Sequence, residues 1–351
     1  MNLGYFTFPM HPPKKNYFKS LMEDRESIVL ADKLNFKEAF IGEHLSDNCE
    51  RVTSCLNFIA TLIFHTKKIK LGTGTLNLPS SHPAMIASQV SMIDTLLRGR
   101  FIMGIGPGSL VSDMEIFNTL DKNRLEMFLE SIDHIINLWS SEGPYDLKGK
   151  YWNISSKKTF DKETYIGSIG KPFQKPHPEI VVTSLGSSNK GLEQALVRGW
   201  NVISSNFLRD NRLMQHQEVM KKINRNNLNW RIAKFIFVGK NKRDVENYGK
   251  SENGPIFFCL NQIYKKLKKA NKLDILKKNP DNKKEKINLH EIINETVIAG
   301  DVLEVKDKIN KLKEKFNNMS TLTYVNVDWK NKSLSRKSMQ LLSEKVIPKI
   351  K

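Results

Sequence analysis

Short strand-like runs alternate with amphipathic helical stretches along nearly the whole chain, and that alternation restricts it to parallel α/β architectures. The strand-like runs fall at residues 3–6, 38–43, 69–75, 100–106, 180–184, 201–205, 232–238 and 322–327. Helical stretches occupy about 17–34, 54–65, 83–97, 124–139 and the segment from 189 to 199, with a closing helix at about 334–349. In the first of these, Leu21, Ile28, Ala31 and Leu34 repeat on one face, the spacing of a helix that buries a stripe. Pro83 stands at the first turn of the third, where a missing N–H costs nothing. Eight strands with intervening helices predict an α/β fold, a (β/α)8 TIM barrel with insertions, forming one domain over residues 1–351.

The competing architecture is an open doubly wound sheet. No Gly-x-Gly-x-x-Gly follows the first strand, and Gly104-Ile105-Gly106-Pro107-Gly108 has a proline inside the loop and no acidic partner on a following strand. A dinucleotide fingerprint is therefore not expected. Residues 141–178 and 252–294 read as insertions, the second a lysine-rich one within the barrel domain.

Charge raises a second possibility. The net charge is +19, from 56 Lys and Arg against 37 Asp and Glu, a balance that nucleic-acid binders share. The excess is concentrated in lysine-rich runs such as 265–269 and 283–286, without a zinc finger or an aromatic-laced basic motif. Solvated surface is the expectation for these lysines, and no nucleic acid is expected as partner. No run of about 18 apolar residues is present, so no membrane span is predicted. The N-terminus begins with a strand pattern rather than a basic stretch before an apolar one, which predicts no secretory signal. Cys49, Cys55 and Cys259 have no metal-ligand spacing and are odd in number, which suits a reducing, cytoplasmic setting.

A parallel barrel carries its chemistry at the C-terminal ends of its strands. The residues that fall there are Phe6, His44, 73–77, 104–108, 184–188 and Ser204. His44 is the titratable base among them, with an ordinary pKa of about 6.5. The set offers no carboxylate pair for glycoside chemistry and no His/Asp/Glu cluster for a catalytic metal. Glycines at the ends of the third and fourth strands allow a flat ligand to approach the backbone. The turn Ser184-Leu185-Gly186-Ser187-Ser188-Asn189 lies between strand and helix, where hydroxyls and free N–H groups hold phosphate. Together these suggest a flavin mononucleotide. Each residue also has a structural reading: His44 as a hydrogen-bonded strand end, Gly72 and Gly74 as a bulge, the serines and His82 as helix caps. His11, in the first loop beside Pro12 and Pro13, is either structural or at a pocket entrance.

Several motifs in this order resemble the bacterial-luciferase-like flavin monooxygenases, most closely the limonene 1,2-monooxygenase-like branch. They are Leu3-Gly4-Tyr5-Phe6 with Pro9-Met10-His11-Pro12-Pro13, Gly42-Glu43-His44, Leu71-Gly72-Thr73-Gly74-Thr75 through His82-Pro83, Gly99-Arg100-Phe101 and Gly104-Ile105-Gly106. Similarity resumes at Gly143-Pro144-Tyr145, 184–188, Ala299-Gly300, Asp328-Trp329 and Val346-Ile347-Pro348, so it spans the chain apart from the lysine-rich insertion.

The resemblance implies a monooxygenase that binds FMN as FMNH2, supplied by a separate NAD(P)H-dependent flavin reductase. It implies reaction with O2 to a C4a-peroxyflavin and transfer of one oxygen atom to a small organic substrate, in a homodimer. By the same resemblance, Gly74-Thr75 would take the place of a non-prolyl cis peptide beneath the flavin ring. Phe6, Thr73, Asn77 and Gly106 would border the ring, Ser184, Ser187 and Ser188 would hold the phosphate end, and His44 would be catalytic. Leu45 stands where many luciferases have a second histidine, Gly106 where they have a reactive cysteine, and Pro107 where they have a phosphate-binding arginine; light emission is not expected. Two other functions fit the same fold: a deazaflavin- or flavin-dependent dehydrogenase or reductase, and a catalytically silent flavin-binding partner subunit.

Overall fold

The computed structural model describes residues 1–351 apart from 9, 185–188, 226, 280, 281, 283 and 351. Eight parallel strands form the barrel: β1 (Asn2–Thr7), β2 (Glu38–Ile41), β3 (Lys70–Thr73), β4 (Phe101–Gly106), β5 (Glu179–Ser184), β6 (Asn201–Ser204), β7 (Trp230–Val238) and β8 (Met319–Val325). Each pairs with the next, and β8 pairs with β1 to close the ring. The fold is the (β/α)8 barrel that the strand–helix alternation predicts. Around it lie α1 (Tyr17–Lys33), α2 (Cys55–Ala60), α3 (Pro83–Leu96), α4 (Arg124–Ser140), α5 (Asn189–Val197), α6 (Asp210–Ile223), α7 (Val302–Lys315) and α8 (Lys332–Leu341).

Local chemistry explains where several helices begin. Asn16, Ser54, Asn123 and Asn331 accept hydrogen bonds from the first-turn N–H groups of α1, α2, α4 and α8, satisfying donors that have no partner within the helix. His82 caps α3 by accepting from the Ala84 N–H at 3.2 Å, just before Pro83. Asp301 and Glu304 form a reciprocal capping box on α7. α2 is shorter than the periodicity suggests. Beyond Ala60 the chain continues in i to i−3 turns, with Thr61, Leu62 and His65 N–H groups bonded to Phe58, Ile59 and Leu62 carbonyls.

Two short strands, Leu76–Asn77 beside β4 and Ile298–Gly300 beside the end of β7, extend the sheet, and Asp146–Leu147 pairs with Ile154–Ser155. None is long enough to leave a period-two pattern in the sequence. The lysine-rich stretch contains the helices Pro255–Lys269 and Leu289–Thr296. In the first, Ile256, Cys259, Leu260 and Ile263 are buried, a helical stripe that docks it on the barrel.

At the N-terminal end of the barrel, the fully buried guanidinium of Arg231 (β7) is bidentate on Glu38 at 2.6 and 2.8 Å and reaches Glu179 at 2.8 Å. It also lies 5.3 Å from the Phe40 ring centroid. Among the described residues no helix is long and apolar enough to cross a membrane, and Cys49, Cys55 and Cys259 are free.

Candidate active site

A cavity of about 550 Å³ opens at the C-terminal mouth of the barrel. Phe6 and Phe8 line it from the end of β1, Gly42, Glu43 and His44 from β2, Gly74, Thr75 and Asn77 from β3, Ile105 to Gly108 from β4, and Val182, Thr183 and Ser184 from β5. Ser205, Asn206 and Phe207 follow β6, and Ile263, Lys266 and Leu267 come from the helix Pro255–Lys269. The predicted site residues Phe6, His44, Gly74, Thr75, Asn77, Gly106 and Ser184 therefore share one wall system. Thr73 does not line the cavity. It is fully buried, and its hydroxyl donates to the Gly104 carbonyl at 2.6 Å. Ser187 and Ser188 lie outside the described residues. The Gly74–Thr75 peptide is cis.

His44 is held on two sides. Its Nδ1 is 3.2 Å from Asp113 Oδ2, and its Nε2 is 3.6 Å from Glu50 Oε2. Asp113 is itself fixed: its Oδ1 accepts from the Ser46 N–H at 2.9 Å and from the Ser46 hydroxyl. Burial opposes charge on His44, but the Glu50 carboxylate and the Asp113 hydrogen bond outweigh it and raise the imidazole above its usual value. Burial would raise Asp113, yet the bonds from His44 and Ser46 hold it below the usual carboxylate range. Each group of the pair thus favours the charged form of the other.

The other polar groups fall into two kinds. Glu43 is structural at the rim: its carboxylate accepts from the Asn77 N–H at 3.2 Å and from the Cys55 N–H and thiol at 3.1 and 2.9 Å. Ser184 Oγ lies 3.1 Å from His216 Nε2, and His216 Nδ1 lies 2.8 Å from Ser204 Oγ. Burial pushes His216 down to about 4, so it is neutral. In contrast, Thr183 Oγ1 and Asn206 Nδ2 are buried at the cavity and have no hydrogen-bond partner among the described residues. Such groups are costly unless a ligand or water completes them.

The glycines divide between packing and access. A Cβ on Gly104 would lie 1.8 Å from the Thr73 carbonyl oxygen, so the neighbouring strand alone excludes a side chain there. On Gly106, at the cavity, it would come within 2.8 Å of Thr75 Oγ1 and stand between the ends of β3 and β4.

His11 is not at the cavity. It is fully buried, with Nδ1 2.6 Å from Asp328 and Nε2 3.0 Å from Asp24. Lys15 Nζ shares Asp328, at 2.6 Å, and also pairs with Glu23 at 2.7 Å.

The chain matches the luciferase-like monooxygenase family over residues 1–316. It belongs to that family. Among curated relatives, this luciferase-like chain is 35% identical over 144 residues to 4-hydroxyprotoasukamycin monooxygenase of Streptomyces nodosus subsp. asukaensis, covering 41% of this chain and 39% of that protein. It is 33% identical over 142 residues to limonene 1,2-monooxygenase of Rhodococcus erythropolis, covering 40% and 37%. The matched part thus spans under half the length of these two relatives. In fold, it superposes with a TM-score of 0.84, at 23% identity, on the oxygenating constituent of 3,6-diketocamphane monooxygenase from Pseudomonas putida, a type II Baeyer–Villiger monooxygenase in complex with FMN; 100% of this chain and 99% of that one are covered.

Sequence reasoning missed Asp113, Glu50, Asp47 and Lys266 in this luciferase-like site. Asp113 lies on the short helix Val111–Ile116, 69 positions from His44, and nothing local links the two. Lys266 was expected to be solvated. Instead its ammonium pairs with Asp47 and Glu50 beside His44. The helical phase was the available signal, because Lys266 follows Cys259 and Ile263 on the buried face.

Proposed function

We propose that this chain is the oxygenase component of a two-component flavin monooxygenase. It would take FMNH2 from an NAD(P)H-dependent flavin reductase and place one atom of O2 in a small, uncharged organic substrate. The observation that carries the reading is the meeting of His44, Gly74, Thr75, Asn77 and Gly106 in one cavity that also holds two unpartnered polar groups, Thr183 Oγ1 and Asn206 Nδ2. The residues fit a flavin. Glycine ends of β3 and β4 leave a wall without projecting side chains, and the orphan hydroxyl and amide suit the polar edge of a heterocycle. Ser184, at the end of β5 and at the cavity, would face the phosphate end.

When bound, reduced FMN would supply the two electrons by which O2 yields one transferred oxygen atom and one water. The chain's own residues have separate tasks. His44, whose protonated form Glu50 and Asp113 favour, donates a hydrogen bond or proton from Nε2 into the cavity. Glu43 fixes the Asn77 backbone and so the rim of β3. Phe6, Phe8, Leu110, Phe128 and Phe207 make apolar walls that keep bulk water from the reacting atoms.

The test combines anaerobic titration with FMNH2, parallel titration with a reduced deazaflavin, and turnover of a panel of cyclic ketones and alkenes under 18O2. FMNH2 binding and one 18O atom per product are expected, with both product yield and O2 coupling reduced in His44→Ala. Absence of FMNH2 binding, or hydride transfer from the deazaflavin without 18O in any product, would overturn the proposal.

A further inference from the structure

The groups behind His44 form a chain of alternating charge that begins outside the barrel. Lys266 arrives on the helix Pro255–Lys269, anchored by Ile256, Cys259, Leu260 and Ile263. Its ammonium binds Asp47 and Glu50 Oε1 at once. The other oxygen of Glu50 stands 3.6 Å from His44 Nε2, beyond a hydrogen bond but well within range of charge attraction. A freely rotating carboxylate so near an imidazolium would close that gap, because a charge-assisted N–H to O contact is favoured at about 2.8 Å.

We propose that Lys266 is a positioning residue for His44: by holding Glu50 and Asp47, it leaves the Nε2 edge of the imidazole available to the cavity while Nδ1 stays on Asp113. The lysine-rich insertion is thereby part of the site. The inference rests on the reading of His44 as the group that acts in the cavity. The charged groups that face His44 support it. Asp113 comes from the helix Val111–Ile116, Asp47 and Glu50 from the segment after β2, and Lys266 from the insertion. Of the other charged residues at the cavity, Glu43 is engaged by Cys55 and Asn77, and Lys269 and Lys272 lie on the insertion side. Lys266 opposes protonation of His44, and Glu50 favours it.

The measurement is NMR titration of the His44 imidazole in the full chain, without flavin, with the signal assigned by its loss in His44→Gln. Lys266→Met should raise the His44 pKa by about one unit, as a compensating cation is lost and Glu50 moves onto Nε2. Lys266→Arg should titrate as the wild type. Adding Glu50→Gln to Lys266→Met should bring the value back down. Glu50→Gln alone, which keeps the lysine, should lower it and provides the test if Lys266→Met does not fold. An unmoved His44 titration in Lys266→Met, or in Glu50→Gln, would overturn the proposal. In turnover, the kcat profile of Lys266→Met should shift along the pH axis with the NMR value. A shifted titration in a protein that shows no FMNH2-dependent oxygenation would leave the positioning role standing and remove the proposed function.

Discussion

Nδ1 of His44 is hydrogen-bonded to Oδ2 of Asp113 at 3.2 Å, joining the end of β2 to a helix that follows β4. The Leu45 and Ser46 N–H groups donate to the same carboxylate at 3.3 and 2.9 Å. The acid is thus aimed at the histidine by backbone that also carries it. This pairing fixes which imidazole nitrogen can face a ligand, because the nitrogen engaged by a carboxylate is committed to donation.

Asp113→Asn should lower the His44 pKa toward 6.5. Because the folded pKa is raised, the imidazolium persists to higher pH than in a free histidine and loses its proton as pH rises through that value. If the imidazolium is the acting form, the alkaline limb of kcat moves to lower pH in the variant. Activity on the alkaline side of the profile then falls while activity on the acid side is retained. A pH–rate profile that falls uniformly, with its limbs unmoved, would show that Asp113 acts through the fold alone.

The orphan polar groups predict ligand contacts. Thr183→Val and Asn206→Leu remove a buried hydroxyl and a buried amide nitrogen, Nδ2, that have no protein partner among the described residues. Each should weaken FMNH2 binding about fivefold, the value of one ordinary hydrogen bond at about 1 kcal/mol. Neither should lower the melting temperature of the ligand-free protein, because each deletion relieves an uncompensated burial. Equal FMNH2 affinity with a lowered melting temperature would mean that water or protein, not the flavin, completes these groups.

The barrel and most of its cavity could be read from the sequence because β1, β4, β5 and β7 are long enough to show their apolar pattern, and strand ends in this fold converge by topology. What was missed depends on side-chain direction or distant pairing. Thr73 falls at a strand end, yet its hydroxyl turns to the Gly104 carbonyl instead of the cavity. Gly104, one of the strand-end glycines expected to admit a ligand, makes room for the Thr73 carbonyl, and Gly72, read as a bulge, makes room for the Phe40 ring. Asp113 and His44 meet only because β2 and the segment after β4 reach the same mouth. Lys266 is one lysine among many until the helix phase places it on the buried face.

His11 predicts an alkaline limit to stability. Held between Asp24 and Asp328, it is raised from 6.5 to about 9 despite burial that works against its charge. Asp24, pushed up to about 6 by burial, is still ionised at neutral pH. Because the folded pKa of His11 is the higher one, its contribution is fully present below about 6.5 and is lost as pH rises through about 9. At about 1.4 kcal/mol per unit the loss is roughly 3 kcal/mol. Urea unfolding between pH 6 and pH 9.5 should show this decline. His11→Asn should be less stable at pH 6, with the decline across this window largely removed, since its buried carboxylates lack the imidazolium at every pH. An undiminished decline in the variant would assign it to another group.

Arg231 and Glu38 give the sharpest separation of stability from function. Their bidentate contact is buried at the N-terminal end of the barrel, opposite the cavity mouth, and Arg231 is fully shielded from solvent. Arg231→Met strands Glu38 as an uncompensated buried charge and should cost about 3–5 kcal/mol. Replacing both, Arg231→Met with Glu38→Leu, removes the stranded charge and should recover most of that loss, even though the ion pair is gone. Glu179, the less buried partner of Arg231, can still reach water. The FMNH2 affinity of both variants should stay within about twofold of wild type where they remain folded, because the cavity residues lie at the other end of the strands. Denaturant unfolding and flavin titration on the same samples separate the two effects. A double variant no more stable than Arg231→Met would mean that the ion pair contributes net stability beyond neutralising Glu38.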